Sequence, residues 1–434
     1  MEDRSYQGGS SGRPLIHAAI VVGFGVLATS LAQPQLLAGI PLENLLKNEL
    51  HVDRVANAAF FFWASLPWYF KPLAGVITDA FPIFHSRRKS YLLIGALLAV
   101  LAWVGLYFTP HEYNKLLWLT ILINIFMVVA STAVGAYMVE IAQACSGSGR
   151  LTAINNFVEQ VCLIIAGPSA GYLASVAFGW TAAACGGVMF LIVPIALIFL
   201  HEPSRTIDSR GQLQTAGKQL LQIARARSMW MATGLMAVFY LAPGLQTALF
   251  YKQQNDLHMN TKIQGAFELI GGACAILATL IYVSLCKRVN LRTLLPWCLL
   301  VGASANIGYL FYSSVRRAGV IEGFNGFAYA LAELAIMDLA IRATPKGSEG
   351  LGFSLMMSVR NLALFGTDWL GSKLIDGFHW SFNSVVLANA TVSAITIPLV
   401  LLLPAALLIR KDAEASSDDV RLPQVLKSPL HGTS

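Results

Sequence analysis

WASLPWYFKPLAGVITDAFPIFHSRRKSY, residues 63–91, decides how the rest of the chain is read. Its first half is an apolar, aromatic helical run that nonetheless carries Lys71. It reaches Gly75 and Asp79, turns through Phe81-Pro82-Ile83, and lands on Arg87-Arg88-Lys89 before another apolar run opens at Tyr91. A lysine at bilayer depth costs about 2.5–3.5 kcal/mol on insertion scales. An acid at the helix end and a basic hairpin beside it are two further costs, and the three together mark a corner that works.

The chain around this stretch is built for a bilayer. Of its 434 residues, 56% are hydrophobic and 12% charged, where a soluble protein carries about 25% charged residues. The 23 Phe and 9 Trp add to an apolar load too great for a soluble core of this length. The apolar residues also come in blocks of about 20, enough to cross a hydrocarbon core of about 30 Å. The composition gives an all-α polytopic membrane protein. A net charge of +7 does not point to nucleic acid, because Lys and Arg fall in short loops between apolar blocks, as membrane orientation requires. The six cysteines (145, 162, 185, 274, 286 and 298) lie in or beside apolar blocks without metal-ligand spacing and read as small packers. No metal or other cofactor is expected. The sequence holds no Gly-x-x-x-x-Gly-Lys phosphate loop.

Twelve spans are expected, at 14–38, 57–79, 91–109, 116–138, 151–173, 182–200, 229–250, 264–286, 293–313, 323–342, 351–372 and 384–409. The long basic segment between the sixth and seventh holds Arg205, Arg210, Lys218, Arg225 and Arg227. The expected division is a disordered N-terminus (1–13), an N-terminal six-helix bundle (14–200), a cytoplasmic linker (201–228), a C-terminal six-helix bundle (229–409) and a cytoplasmic tail (410–434). With the N-terminus inside, twenty Lys and Arg fall in inner segments and seven in outer ones, which places both termini in the cytoplasm. Each half has a basic hairpin between its second and third span, at Arg87-Arg88-Lys89 and at Lys287-Arg288 with Arg292. This layout predicts two bundles rocking about a central site. No Arg- and Ser-rich transit peptide is seen, which tilts the membrane towards a bacterial inner one.

Charged residues inside spans are the candidates for that site. Lys71 and Arg360 lie one in each half near mid-depth. Facing one cavity they would hold the carboxylates of an organic anion; otherwise each is neutralised by an acid of the protein. Glu159 follows Asn155-Asn156 on a polar face, and Glu333 is mid-span. Either carries a proton or accepts hydrogen bonds from a flat heterocycle, or pairs with Lys71 or Arg360. Glu268 and Asp368 lie nearer span ends and are expected to be solvated. Among the mostly lipid-facing or interfacial aromatic residues of 60–70, either Trp68 or Tyr69, both close to Lys71, is placed to stack on a heterocycle. Gly167-Pro168-Ser169-Ala170-Gly171 predicts a bend or close helix packing.

In the opening stretch, Gly75 would let a neighbouring backbone approach, Asp79 would meet a helix N-terminus, and Arg87 and Arg88 would pair with acids or head groups. Together they make a latch; the plainer reading is a topogenic loop with a capping acid. Gly75…Asp79…Arg87-Arg88 resembles the loop between helices two and three of major facilitator superfamily transporters, with a few extra residues between acid and basic pair. Three stretches resemble a narrower group, the folate–biopterin transporter family: Lys71-Pro72 through Gly75, Asp79 and Phe81-Pro82-Ile83 to Tyr91; Ala248-Leu249-Phe250-Tyr251 to Leu257; and Pro345 to Gly350 with Ser354, Ser358 and Asn361. The chain departs from the family at Gly135, where an aspartate is common, although Glu140 is kept.

The resemblance implies a major facilitator fold and a secondary transporter of folate- or pterin-class anions working by alternating access with protons, as a monomer. Lys71, Arg360, Glu159, Glu333, Trp68 and Asn361 would bind substrate; Gly75, Asp79, Arg87 and Arg88 would gate it. The alternative keeps the fold with another small solute: a sugar, drug or amino acid. A membrane enzyme would need clustered catalytic groups or a soluble domain, and the sequence offers neither.

Overall fold

Proline and glycine interrupt several of the helices of this chain. The computed structural model describes residues 12–409 apart from 82, 85, 87, 145–147, 201–208, 287 and 346–347. The first half contains α1 (Gly12–Leu31), α2 (Gly39–Asn44), α3 (Arg54–Ala64), α4 (Leu66–Tyr69), α5 (Lys71–Ala80), α6 (Lys89–Phe108), α7 (Tyr113–Ala144), α8 (Ser148–Leu173), α9 (Phe178–Phe190) and α10 (Ile192–Phe199). An amphipathic connector, α11 (Ser209–Arg225), leads to α12 (Arg227–Tyr240), α13 (Gln246–Asn255), α14 (Thr261–Cys286), α15 (Leu291–Ile307), α16 (Val315–Ala343), α17 (Glu349–Asp376), α18 (Phe382–Leu399) and α19 (Ala405–Leu408).

Helix occupies each of the expected apolar stretches. Seven helical segments are long and apolar enough to cross a membrane, and Ile16–Leu31 and Phe157–Leu173 are shorter apolar ones. Several expected spans are corrected; the last, expected to run to residue 409, ends its long helix at Leu399, and α19 follows Pro404. The first stops at Leu31, just before Pro34, and the chain then forms the short α2 instead of running straight to residue 38. The second is three pieces: Pro67 and Pro72 each sit in the first turn of a new helix, α4 and α5. A proline N–H is not missed there. The seventh breaks over 241–245 at Pro243-Gly244. Non-helical backbone at membrane depth must find partners, and this break has them. The Gly244 N–H donates to the Thr367 carbonyl at 2.8 Å. The Pro243 carbonyl accepts from Asn389 at 2.9 Å. Asp368 accepts from the Thr247 N–H at 3.0 Å and from its hydroxyl at 2.6 Å.

Buried apolar side chains form two main clusters, one from residues 18–200 and one from residues 223–408, so the molecule is two helical bundles. With the described ends and α11 on one face, here the terminal face, successive long helices alternate between that face and the distal one. The bundles touch along α8 and α14. A Cβ on Gly265 would stand 2.3 Å from the Gly167 carbonyl oxygen, and one on Gly171 2.6 Å from that of Thr261. The sequence marked Gly167 and Gly171 as a packing face, and here helix backbones meet on it. Along α3 and α17, Phe62 stacks on Trp369 with centroids 5.5 Å apart.

Candidate functional site

Two of these breaks, after α1 and between α12 and α13, border a cavity of about 350 Å3 between the bundles, in the distal half of the molecule. The first bundle lines it with Gln35, Ile40, Glu43 and Phe61. The second contributes Gln246, Phe250 and Gln253 of α13, Glu268 of α14, Glu322, Asn325 and Tyr329 of α16, and Phe365 of α17, among others. Among the described residues, no Lys or Arg lines it. Its walls are aromatic faces, amides and three carboxylates.

Polar contacts close the distal end. The Lys47 ammonium donates to Gln254 at 2.9 Å and Asn255 at 2.6 Å and lies 4.8 Å from the Tyr251 ring centroid. The Tyr251 hydroxyl donates to the Val52 carbonyl at 2.6 Å. Arg54 meets Asp376 at 3.3 Å. Burial first, and then the Arg54 charge, holds the Lys47 amine below the usual lysine range.

The residues expected to bind substrate sit elsewhere. None of Lys71, Trp68, Glu159, Glu333, Arg360 and Asn361 lines this cavity. Arg360 is engaged inside its own bundle: its Nη2 donates to Glu333, its Nε to the Tyr240 hydroxyl at 3.1 Å, and its Nη1 to Asn361 at 3.1 Å. Tyr240 in turn donates to Glu333 at 3.2 Å. This layer lies on the terminal side of the cavity, and Tyr329, a lining residue, is within electrostatic reach of both charges. Opposite charges find each other at low dielectric, so the guanidinium and carboxylate join each other before either can join a solute.

Lys71, at the start of α5, donates to Ser131 at 3.1 Å and lies 5.2 Å from the Trp68 ring centroid. Glu159 is the carboxylate whose charge reaches it. Glu159 itself is exposed and accepts from Asn155 at 3.1 Å. Trp68 is fixed from its other end, its indole N–H donating to Asn124 at 2.8 Å while Asn124 donates to the Ala64 carbonyl. That carbonyl is free because the helix breaks at Ser65. The two cations expected to face one hollow are therefore each held within their own bundle in this structure.

The opening stretch is also tied within the first bundle. Arg88, 6% exposed at its side chain, donates to Glu140 of α7 at 2.7 and 3.1 Å. The Tyr91 hydroxyl donates to the Phe81 carbonyl at 2.5 Å. A Cβ on Gly75 would lie 3.8 Å from the Thr132 methyl, an ordinary contact, so no close backbone approach depends on it. Arg87 and the side chain of Asp79 lie outside the described residues, as does Cys145.

Two acids expected to be solvated are otherwise. Asp368 is buried and caps α13, and Glu268 lines the cavity. Glu43 and Glu322 were missed because both fell outside the assigned spans. Glu322 was recoverable: Ser314 is a helix N-cap by residue type and does accept from the Arg317 N–H, which sets Glu322 two turns inside α16. Glu43 carried no such signal beyond Pro34 ending α1.

A cavity between two helical bundles, sealed at one face and lined by hydrogen-bonding groups, defines a multi-pass membrane transporter of the major facilitator type. Solved structures agree on the fold. A D-xylose–proton symporter superposes with a TM-score of 0.68 at 15% identity, over 90% of this chain and 97% of that one. A POT family transporter in complex with 5-aminolevulinic acid gives 0.67 at 12%, over 90% and 95%. The chain belongs to the BT1 family, whose profile matches residues 35–421. Its relatives include the folate-biopterin transporter of Synechocystis sp., 23% identical over 79% of this chain and 72% of that protein. Probable folate-biopterin transporter 2 of Arabidopsis thaliana is 24% identical over 78% and 72%. Folate transporter 1 of Plasmodium falciparum is 22% identical over 80% and 71%. Family and relatives are transporters, and the chain is a transporter and not an enzyme.

Proposed function

We propose that the protein is a secondary active transporter of folate- or pterin-class organic anions, working by alternating access between bundles 14–200 and 229–409 and coupled to protons. The observation that carries the reading is the cavity: flat aromatic faces, amides and carboxylates at a bundle interface, in a chain whose relatives are named for folate and biopterin. A pterin ring offers faces for stacking and an amino group beside a ring N–H for a carboxylate. Lys71 and Arg360, with Asn361 beside it, take the substrate carboxylates in another stage of the cycle, after exchange with Glu159 and Glu333. Those two acids are the proton carriers, and Trp68 shields Lys71. Gly75, Asp79, Arg87 and Arg88 form the latch of the terminal face, which faces the cytoplasm across a bacterial inner membrane; the basic-residue asymmetry supports that orientation.

Uptake of labelled folate by cells expressing the protein tests this. Lys71→Ala and Arg360→Ala are expected to reduce it at least tenfold; normal uptake in both removes these two residues from the site. Substrate-dependent proton entry into sealed vesicles tests the coupling, and Glu159→Gln or Glu333→Gln is expected to abolish it.

A second reading keeps the fold and changes the solute. The amide-rich, cation-free lining also suits a hydroxylated neutral compound such as a sugar. A ligand that binds only the native state raises its unfolding temperature. A thermal shift with sugars and none with pterins would favour the second reading.

A further inference from the structure

We propose that Glu43 is the residue that recognises the aminopyrimidine edge of the substrate. This rests on the folate or pterin reading above. Glu43 sits on α2, the short helix that forms where the chain leaves α1, and it is 6% exposed while lining the cavity. No hydrogen bond or ion pair holds it among the described residues. The charges that reach it, Asp368 first and Glu268 next, are of its own sign. A buried carboxylate without a donor is costly, and one at a cavity wall is free to accept from a bound molecule.

Gln35, in the same wall, is tied to Ser65, donating to its hydroxyl at 2.8 Å. Glu322, across the cavity, already accepts from the Tyr312 hydroxyl at 2.8 Å and from Tyr309 at 3.4 Å. Glu43 is therefore the buried lining carboxylate with acceptor capacity to spare. The matching ligand presents adjacent donors on a rigid edge. In a 2-amino-4-oxopteridine these are the amino group and the neighbouring ring N–H, which donate to the two carboxylate oxygens side by side. Phe61 and Phe250 supply apolar faces for the ring.

The test uses purified full-length protein and equilibrium binding of folate, of 2-amino-4-oxopteridine, and of the 4-oxopteridine without the amino group. Wild type is expected to prefer the amino compound about 10- to 100-fold, the range set by a charged hydrogen-bonded pair. Glu43→Gln keeps the shape and removes one acceptor oxygen, and it is expected to bring that preference close to one. If wild type binds the amino compound and Glu43→Gln retains the full preference, the assignment to Glu43 falls while the pterin reading stands. If the variant loses both pteridines equally, its effect is structural and the assignment falls as well. If wild type binds neither folate nor pteridine, the substrate class itself is wrong.

Discussion

A guanidinium held between a carboxylate and a phenol is costly to leave half-made. Arg360 and Glu333 are 20% and 26% exposed at their side chains, so removing one partner strands the other with little water. Arg360→Ala and Glu333→Ala are each expected to lower stability by about 2–3 kcal/mol, somewhat under the fully buried case. Arg360→Met with Glu333→Leu, which removes both charges, should cost less than either. Thermal unfolding of the four proteins in detergent decides it, and single variants as stable as wild type would mean the pair contributes nothing. Trp68→Phe takes the donor from Asn124 and should cost about 1–3 kcal/mol. At this scale the sequence was half legible. A charge inside an apolar run stands out, and Arg360, Glu333 and Lys71 were all found that way. The Arg360–Glu333 pairing was among the alternatives the sequence offered, but it could not be chosen there, because pairing is decided by which helix faces turn together. Glu43 escaped because a carboxylate in a short connection looks solvated until the connection is seen folded into the cavity wall.

Glycine separates the elements that need contact from those that tolerate it. A Cβ on Gly371 would lie 2.0 Å from the Gly244 carbonyl oxygen, where α17 crosses the α12–α13 break. Gly371→Ala is expected to cost about 1–3 kcal/mol through overpacking and to loosen the cap that Asp368 places on α13. Gly75→Ala has room at 3.8 Å and exchanges glycine for a better helix former, worth up to about 1 kcal/mol. It should therefore be neutral or stabilising in thermal unfolding, and marked destabilisation would mean that Gly75 is needed for packing after all. Helix existence was readable from apolar blocks of the right length. Helix interruption was less so. Pro67, Pro72 and Pro243 were visible in the sequence, yet a proline inside an apolar run is compatible with a kink or a full break. The choice belonged to distant groups such as Asn389 and Thr367 that satisfy the freed backbone.

At the scale of the molecule, the two bundles are joined distally by Lys47, Tyr251 and Arg54 and along the glycine face of α8 and α14. Lys47→Ala with Tyr251→Phe removes part of this closure, and the distal face should open more often. With native cysteines removed, Gln246→Cys in the cavity wall should then react several-fold faster with a membrane-impermeant maleimide applied from that side. An unchanged rate would show that the contacts left in place, Arg54 with Asp376 and the packed helix faces, are enough to keep it shut. The sequence places its division at the long basic segment 201–228, and the two main clusters of buried apolar residues are drawn from 18–200 and 223–408. The cavity's position was not legible, because it depends on which ends the bundles press together.

The segmented stretch α3–α5 has a bearing on how the protein is made. Alone in the translocon, three short helical pieces with a lysine among them partition poorly into lipid. Asn124 and Ser131, which hold Trp68 and Lys71, belong to α7, two crossings later in synthesis. The second crossing therefore settles only once the fourth has emerged, and a nascent chain stopped before residue 124 should still expose that lysine to water.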